Sequence, residues 1–165
     1  MHEEQRAWMK RQSELVGRVG AVVDIGGRNI NGTVRDLFDC DTYTAVDLFA
    51  GPGVDVVADA TVWRPDRPVD VVVCCEVFEH TPDGEALVAA AADMLKPGGW
   101  LYVTCATDPR EPHSTLDGGG VRRGEWYANV KPDELVDWVL RADLLPVSQQ
   151  VFPQRGDLYM VAQKP

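Results

Sequence analysis

Asp70-Val71-Val72-Val73-Cys74-Cys75-Glu76-Val77-Phe78-Glu79-His80, followed after a helix by Leu95-Lys96-Pro97-Gly98-Gly99-Trp100-Leu101, decides the fold of this 165-residue chain. Val69 to Cys74 is almost continuously apolar, as expected of a strand covered on both faces in a parallel sheet. Asp83 to Leu95 is rich in alanine and reads as a helix, and Lys96-Pro97-Gly98-Gly99 stops it. Trp100 to Cys105 is again an apolar strand. Strand, helix, strand over this distance is a parallel crossover unit.

Working outward, the same alternation continues. Glu3 to Val16 carries Trp8, Met9, Gln12, Leu15 and Val16 at helical spacing. Ala21 to Ile25 is a short strand closed by Gly26-Gly27. Thr33 to Phe38 reads as a helix capped by Asn31. Tyr43 to Leu48 is a second strand, Phe49 to Gly53 a turn, and Val54 to Ala58 a third strand. Residues 106–130 form a long polar loop, and Pro132 to Ala142 a helix with Pro132 in its first turn. Pro146 to Val151 and Asp157 to Ala162 read as an antiparallel hairpin. The expected fold is therefore α/β: one domain over 1–165, a doubly wound and mostly parallel sheet with a C-terminal antiparallel hairpin. Residues 1–17 form its N-terminal helix.

Ligands of such sheets lie at the carboxyl ends of the strands, where strand order reverses. Carboxylates stand at these places in order: Asp24 after strand one, Asp47 after strand two (23 residues later), Asp59 after strand three and Glu76 after strand four. A dinucleotide fingerprint, Gly-x-Gly-x-x-Gly, is absent from the first turn, which argues against a dehydrogenase.

The stretch from 69 to 105 resembles class I S-adenosylmethionine-dependent methyltransferases of the type 11 kind. Their usual form is an Asp-led apolar strand, Glu-x-x-Glu-His, a helix, and Leu-Lys-Pro-Gly-Gly before the next strand. In element order the resemblance runs from about residue 20 to 165 and implies a Rossmann-like sheet. It implies bound S-adenosyl-L-methionine, with Asp24, Gly26, Gly27 and adjoining backbone at the amino-acid end of the cofactor. Asp47 and Leu48 fall at the ribose, Asp59 and Ala60 at the adenine, and Cys75, Glu76 and His80 beneath the methionine portion. Two departures stand out. Arg28 and Ile30 replace glycines of the first turn, which makes Arg28 a candidate for the cofactor carboxylate. The helix usual between strands two and three is reduced to the turn at Phe49 to Gly53.

Glu76, Glu79 and His80 share one face if their segment is helical, and such a set can hold a divalent cation. The resemblance implies this too, because ubiquinone-type and small-RNA 2′-O-methyltransferases use Glu-x-x-Glu-His in that way; many relatives carry the same letters without metal. The candidate catalytic residues are His113 and Glu76, with His113 a general base near the methyl or a further ligand. The loop 106–130, with Gly118-Gly119-Gly120, Arg110, Arg122, Arg123 and Trp126-Tyr127, is the expected substrate lid.

Net charge is −10, which disfavours a phosphate backbone as substrate and points to a small-molecule acceptor. A cofactor-binding module that supports a partner protein, or methylation of a macromolecule, are the alternatives. Cys40, Cys74, Cys75 and Cys105 form no Cys-x-x-Cys pair and are expected reduced. Apolar runs are too short to span a bilayer, and Met1-His2-Glu3-Glu4 lacks the order of a signal peptide, so the expected location is cytoplasmic. The sequence leaves a homo-oligomer open.

Overall fold

The computed structural model describes residues 3–165; the first two residues of the expected N-terminal helix lie outside this range. Helix α1 spans Glu3–Val16 and strand β1 Val19–Ile25, followed by β2 at Cys40–Asp47 and β3 at Val56–Val57. Strand β4 is Val69–Cys75, α2 is Gly84–Met94 and β5 is Leu95–Ala106. Helix α3 covers Pro132–Arg141, and β6 and β7 cover Leu145–Phe152 and Asp157–Gln163.

The seven strands form one sheet in the order β3-β2-β1-β4-β5-β7-β6. Strands β1 to β5 pair in parallel, and β7 runs antiparallel to both β5 and β6. The expected architecture, terminal hairpin included, is the observed one. All four cysteines are free thiols.

Period-two burial divides the core into two layers. Val23, Ile25, Val72 and Val103 face α2 and α3, joined by Leu87, Val88, Ala91, Leu135 and Val139. On the opposite face Val22, Val71, Val73, Tyr102 and Tyr159 meet Trp8 and Met9 of α1. Asp70 anchors the amino ends of the strands: it accepts from the Gly20 and Ala21 amides at 3.0 and 2.8 Å and pairs with Lys96 at 2.9 Å. Helix α2 ends on the expected stop. Lys164 Nζ reaches its last carbonyls, donating to Ala92 and Leu95 at 2.7 and 2.9 Å, where a cation also suits the helix dipole.

Three expectations need correcting. The stretch 33–38 forms only a 3-10 turn at Arg35–Leu37, and Val34 rather than Asn31 stands at its cap position. Short polar side chains have taken over the backbone there: Asn29 Oδ1 accepts from the Gly32 amide at 2.9 Å and Thr33 Oγ1 from Arg35 at 3.1 Å. Strand β3 is two residues long rather than five, because the Val54 amide turns back to Gly51 and the Asp55 carboxylate takes the Ala45 amide at 2.8 Å. Strand β5 starts at Leu95, so Lys96 to Gly99 already belongs to it, with a register irregularity opposite Val69 and Val71.

Trp8 is 2% exposed, and its ring lies 5.0 Å from that of Tyr159 and 6.4 Å from that of Tyr102. Its removal leaves a void that the rigid sheet cannot close. Trp8→Ala is expected to cost about 3–5 kcal/mol, seen as a lower urea midpoint with an unchanged slope.

Candidate active site

Asp24 lies next to the end of β1, 5% exposed, and its Oδ2 accepts from the Tyr43 hydroxyl at 2.8 Å. Burial pushes this carboxyl up to about 7, against the opposing pull of Tyr43. The chain then turns on two glycines that tolerate no side chain. Gly26 has φ +74°, and a Cβ on it would lie 2.2 Å from Val77 Cγ2. A Cβ on Gly27 would lie 2.6 Å from Ala45 Cβ and 2.9 Å from Asp24 Oδ2. Both amides point to the Val46 carbonyl, at 2.8 and 3.3 Å. Arg28 lays its stem over Gly51 and places its guanidinium 5.6 Å from the Phe49 ring centroid. Its Nε is buried without a partner among the described residues.

Asp47 and Asp59 close their strands in the same manner. Asp47 Oδ1 accepts from the Phe49 amide at 2.9 Å. Asp59 Oδ1 accepts from the Thr61 amide and hydroxyl at 2.9 and 2.7 Å, which holds its carboxyl below the usual range. In both, Oδ1 secures the turn. Ala60 is buried beside Asp59.

At the end of β4, Glu76 adopts φ +57°, a left-handed conformation costing about 1–3 kcal/mol for a residue with a side chain. Its Oε1 is buried and unpartnered. The following residues make a single 3-10 turn, Phe78–His80, so the expected helical face shared by Glu76, Glu79 and His80 does not exist. The atoms that approach one another belong instead to Glu79, His80 and His113, all within 4.8 Å. Glu79 is fully buried. Its Oε1 accepts from the Ala106 amide at 3.2 Å and its Oε2 has no partner. Burial and the neighbouring Glu76 charge push this carboxyl far above its ordinary value. His80 is held down at about 4 by burial and by the imidazole of His113, and its Nδ1 is also unpartnered. His113 Nδ1 lies 3.1 Å from the Glu111 carbonyl. A carbonyl only accepts, so Nδ1 is the donor in this contact.

All of Asp24, Gly26, Gly27, Arg28, Asp47, Leu48, Asp59, Ala60, Cys75, Glu76, His80 and His113 line one cavity of about 920 Å³, and Gly118 to Gly120 form part of its wall. Glu79 sits behind this lining. The loop's basic residues are less available than expected. Arg110, although at the cavity, pairs with the buried Asp157 and donates to the Arg155 carbonyl at 2.8 Å; Arg122 pairs with Asp117. Sequence reasoning missed Tyr43 as the partner of Asp24. The signal was there in the register, which sets Tyr43 opposite Val22 and Ala45 opposite Asp24.

The family profile described as a methyltransferase domain matches residues 1–149. The chain belongs to the methyltransferase-domain family. This methyltransferase-domain chain is 35% identical over 92 residues to the ubiquinone biosynthesis O-methyltransferase of Cupriavidus pinatubonensis (strain JMP 134 / LMG 1197), covering 56% of this chain and 35% of that protein. It is 34% identical over 143 residues to the protein of the same name from Hahella chejuensis (strain KCTC 2396), covering 80% and 57%. The chain thus spans roughly a third to a little over half the length of these relatives. Among solved structures, the N-methyltransferase NodS from Bradyrhizobium japonicum WM9, in complex with S-adenosylhomocysteine, superposes with a TM-score of 0.71 at 17% identity, covering 98% of this chain and 86% of that one. The 1,6-didemethyltoxoflavin-N1-methyltransferase of Burkholderia thailandensis gives 0.70 at 18%, covering 99% and 83%. These likenesses show the fold. Among the described residues no helix is long and apolar enough to cross a membrane.

Asp24 yields a test through pH. Its folded value, about 7, lies above its ordinary 3.8, so the protonated form is favoured by folding. Its contribution is complete below the ordinary value and is lost as pH rises through the folded one, by up to about 4 kcal/mol. Asp24→Asn should therefore gain stability relative to wild type as pH rises from about 4 to about 7, the interval between the ordinary and folded values, and keep that gain above it, measured by urea unfolding. A difference that stays constant with pH would contradict the assignment.

Proposed function

We propose that this chain is an S-adenosyl-L-methionine-dependent methyltransferase that methylates a hydroxyl group of a small molecule, as one domain with residues 106–130 as the acceptor wall. The observation that carries this is the single cavity above the strand ends, lined by Asp24, Asp47, Asp59 and Glu76 in succession. The names of the relatives, O-methyltransferases of ubiquinone biosynthesis, support oxygen as the acceptor atom. A net charge of −10 and the pairing of Arg110 and Arg122 disfavour nucleic acid. A cytoplasmic location is part of this reading.

The residues present suit the cofactor. Asp24 and the Gly26-Gly27 backbone would meet its amino group and Arg28 its carboxylate, using the buried Nε that has no protein partner. Asp47 would accept from the ribose hydroxyls, with Leu48 beside it. Asp59 would accept from the adenine amine, and Ala60 would flank the ring. Cys75, Glu76 and His80 would lie beneath the methionine portion. When bound, the cofactor supplies a sulfonium methyl whose carbon–sulfur electrons return to sulfur, leaving a neutral thioether. The protein aligns the acceptor oxygen with that carbon, which supplies much of the rate. His113 Nε2 takes the hydroxyl proton, its lone pair fixed by the Nδ1 contact to Glu111.

A second reading is favoured by one observation. Glu79 Oε2 and His80 Nδ1 are buried without a donor, and they stand in the same group as His113. These three residues would hold a divalent cation, which would lower the pKa of the acceptor hydroxyl.

Calorimetric titration with S-adenosylhomocysteine should show saturable binding, and Asp47→Ala should weaken it by at least about tenfold through loss of charge-assisted hydrogen bonds. With catechol as acceptor, His113→Ala should lower kcat about 100-fold or more. Turnover untouched by EDTA supports His113 as base, and loss restored by added magnesium supports the cation. Absence of any binding at millimolar S-adenosylhomocysteine contradicts both.

A further inference from the structure

His113 sits on a loop, and its Nδ1 contact is to a carbonyl only two residues away, which cannot fix the ring relative to the sheet. The link to the rigid frame comes from Tyr127. Its ring centroid lies 4.9 Å from that of His113 and 5.5 Å from that of His80, with interplanar angles of 63° and 72°. The two imidazoles are themselves 5.0 Å apart at 86°. Each pair is edge-to-face, the arrangement in which the positive rim of one ring meets the face of the next.

Tyr127 is held from both sides. Its hydroxyl donates to Asn129 Oδ1 at 2.9 Å, and Asn129 Nδ2 donates to Asp108 Oδ1 and to the Arg110 carbonyl, each at 2.9 Å. The backbone next to it is stitched to the frame. The Ala128 amide donates to the Glu79 carbonyl and the Val130 amide to the Ala106 carbonyl, both at 2.9 Å. The arm returning from the loop is therefore tied to the turn at Glu79 and to the end of β5, and the Tyr127 ring packs against the two histidines. Burial and the neighbouring Glu79 push the phenol well above its ordinary value, so it remains a donor to Asn129 and is no candidate base.

We propose that Tyr127 is a positioning residue for methyl transfer: its ring, braced by Asn129, holds His113 edge-on to His80 so that Nε2 of His113 faces the acceptor. This rests on the reading of His113 given above. The ring does the positioning and the hydroxyl braces the ring, so the two can be separated by substitution.

The experiment compares wild type with Tyr127→Phe, Tyr127→Ala and Tyr127→Leu, the last keeping bulk should the alanine variant fold poorly. Turnover is measured with S-adenosylmethionine and catechol, affinity with S-adenosylhomocysteine by calorimetry, and the His113 tautomer by nitrogen NMR on histidine-labelled protein at one pH. Alanine and leucine variants should lose about 10- to 100-fold in kcat, the scale of a misplaced catalytic group, while cofactor-product affinity stays within about threefold. Tyr127→Phe should recover kcat to within about fivefold of wild type. A ring freed of Tyr127 leaves the Glu111 carbonyl for part of the time, so the His113 signals should show one Nδ1–H tautomer in wild type and the phenylalanine variant, and a mixture in the other two. An unchanged tautomer in the alanine and leucine variants, or a kcat within about twofold of wild type, overturns the proposal. The tautomer measurement needs no acceptor. Failure of catechol turnover in wild type therefore counts against the acceptor class and leaves the role of Tyr127 to be decided by NMR.

Discussion

Strand β1 pairs in parallel with β2 on one side and β4 on the other, and the rest of the site depends on that divergence. After β1 the chain leaves toward the face covered by Val34 and Phe38; after β4 it leaves toward the face covered by α2. The two exits part above the carboxyl ends of the strands, and a crevice opens there. The turn at Gly26-Gly27 lines that crevice with backbone alone, because Val77, Ala45 and Asp24 leave no space for a Cβ. The strain at Glu76 belongs to the same constraint. The Glu76 amide still bonds the Thr104 carbonyl at 2.8 Å, and the positive φ turns the chain away immediately afterwards.

Electrostatics give the crevice its character. Carboxylates at successive strand ends, within a chain of charge −10, favour a cationic ligand. Two of the acids are tuned by burial rather than by ion pairs: Asp24 is raised to about 7, and Glu79 is pushed well above its ordinary value. A buried, ion-paired carboxylate lies outside this series. Asp157, wholly buried, takes Arg110 and Arg155 together with the Tyr159 hydroxyl at 3.1 Å, tying the start of the long loop to β7. Gly156 permits the approach, since a Cβ there would lie 2.6 Å from the Arg110 nitrogen.

The sheet and the residues that line the cavity at its strand ends were legible because both depend on features local in sequence: apolar runs, helix stops, and acids at strand ends. The twelve residues named for the site meet in one cavity for that reason. What was not legible depends on contacts distant in sequence. The segment 76–80 has helical spacing on paper, yet the Glu76 amide is claimed by Thr104 and only one 3-10 turn follows. Arg110 resembles a free loop cation until the chain brings Asp157 beside it, 47 residues later. Tyr127 looked like one of two lid aromatics; its contacts with Asn129, His80 and His113 are not readable from spacing. The expected helix at 33–38 failed for a local reason, since Asn29 and Thr33 satisfy backbone groups that a helix would need.

The central claim is that the crevice above β1, β2 and β4 holds the cofactor. Hydrogen–deuterium exchange with and without S-adenosylhomocysteine tests it most directly. The account expects added protection in the amides of the three turns that follow Asp24, Asp47 and Cys75 and in the turn at Asp59, with α3 and the β6–β7 hairpin unchanged. Protection concentrated in that hairpin, or none at saturating ligand, would contradict it.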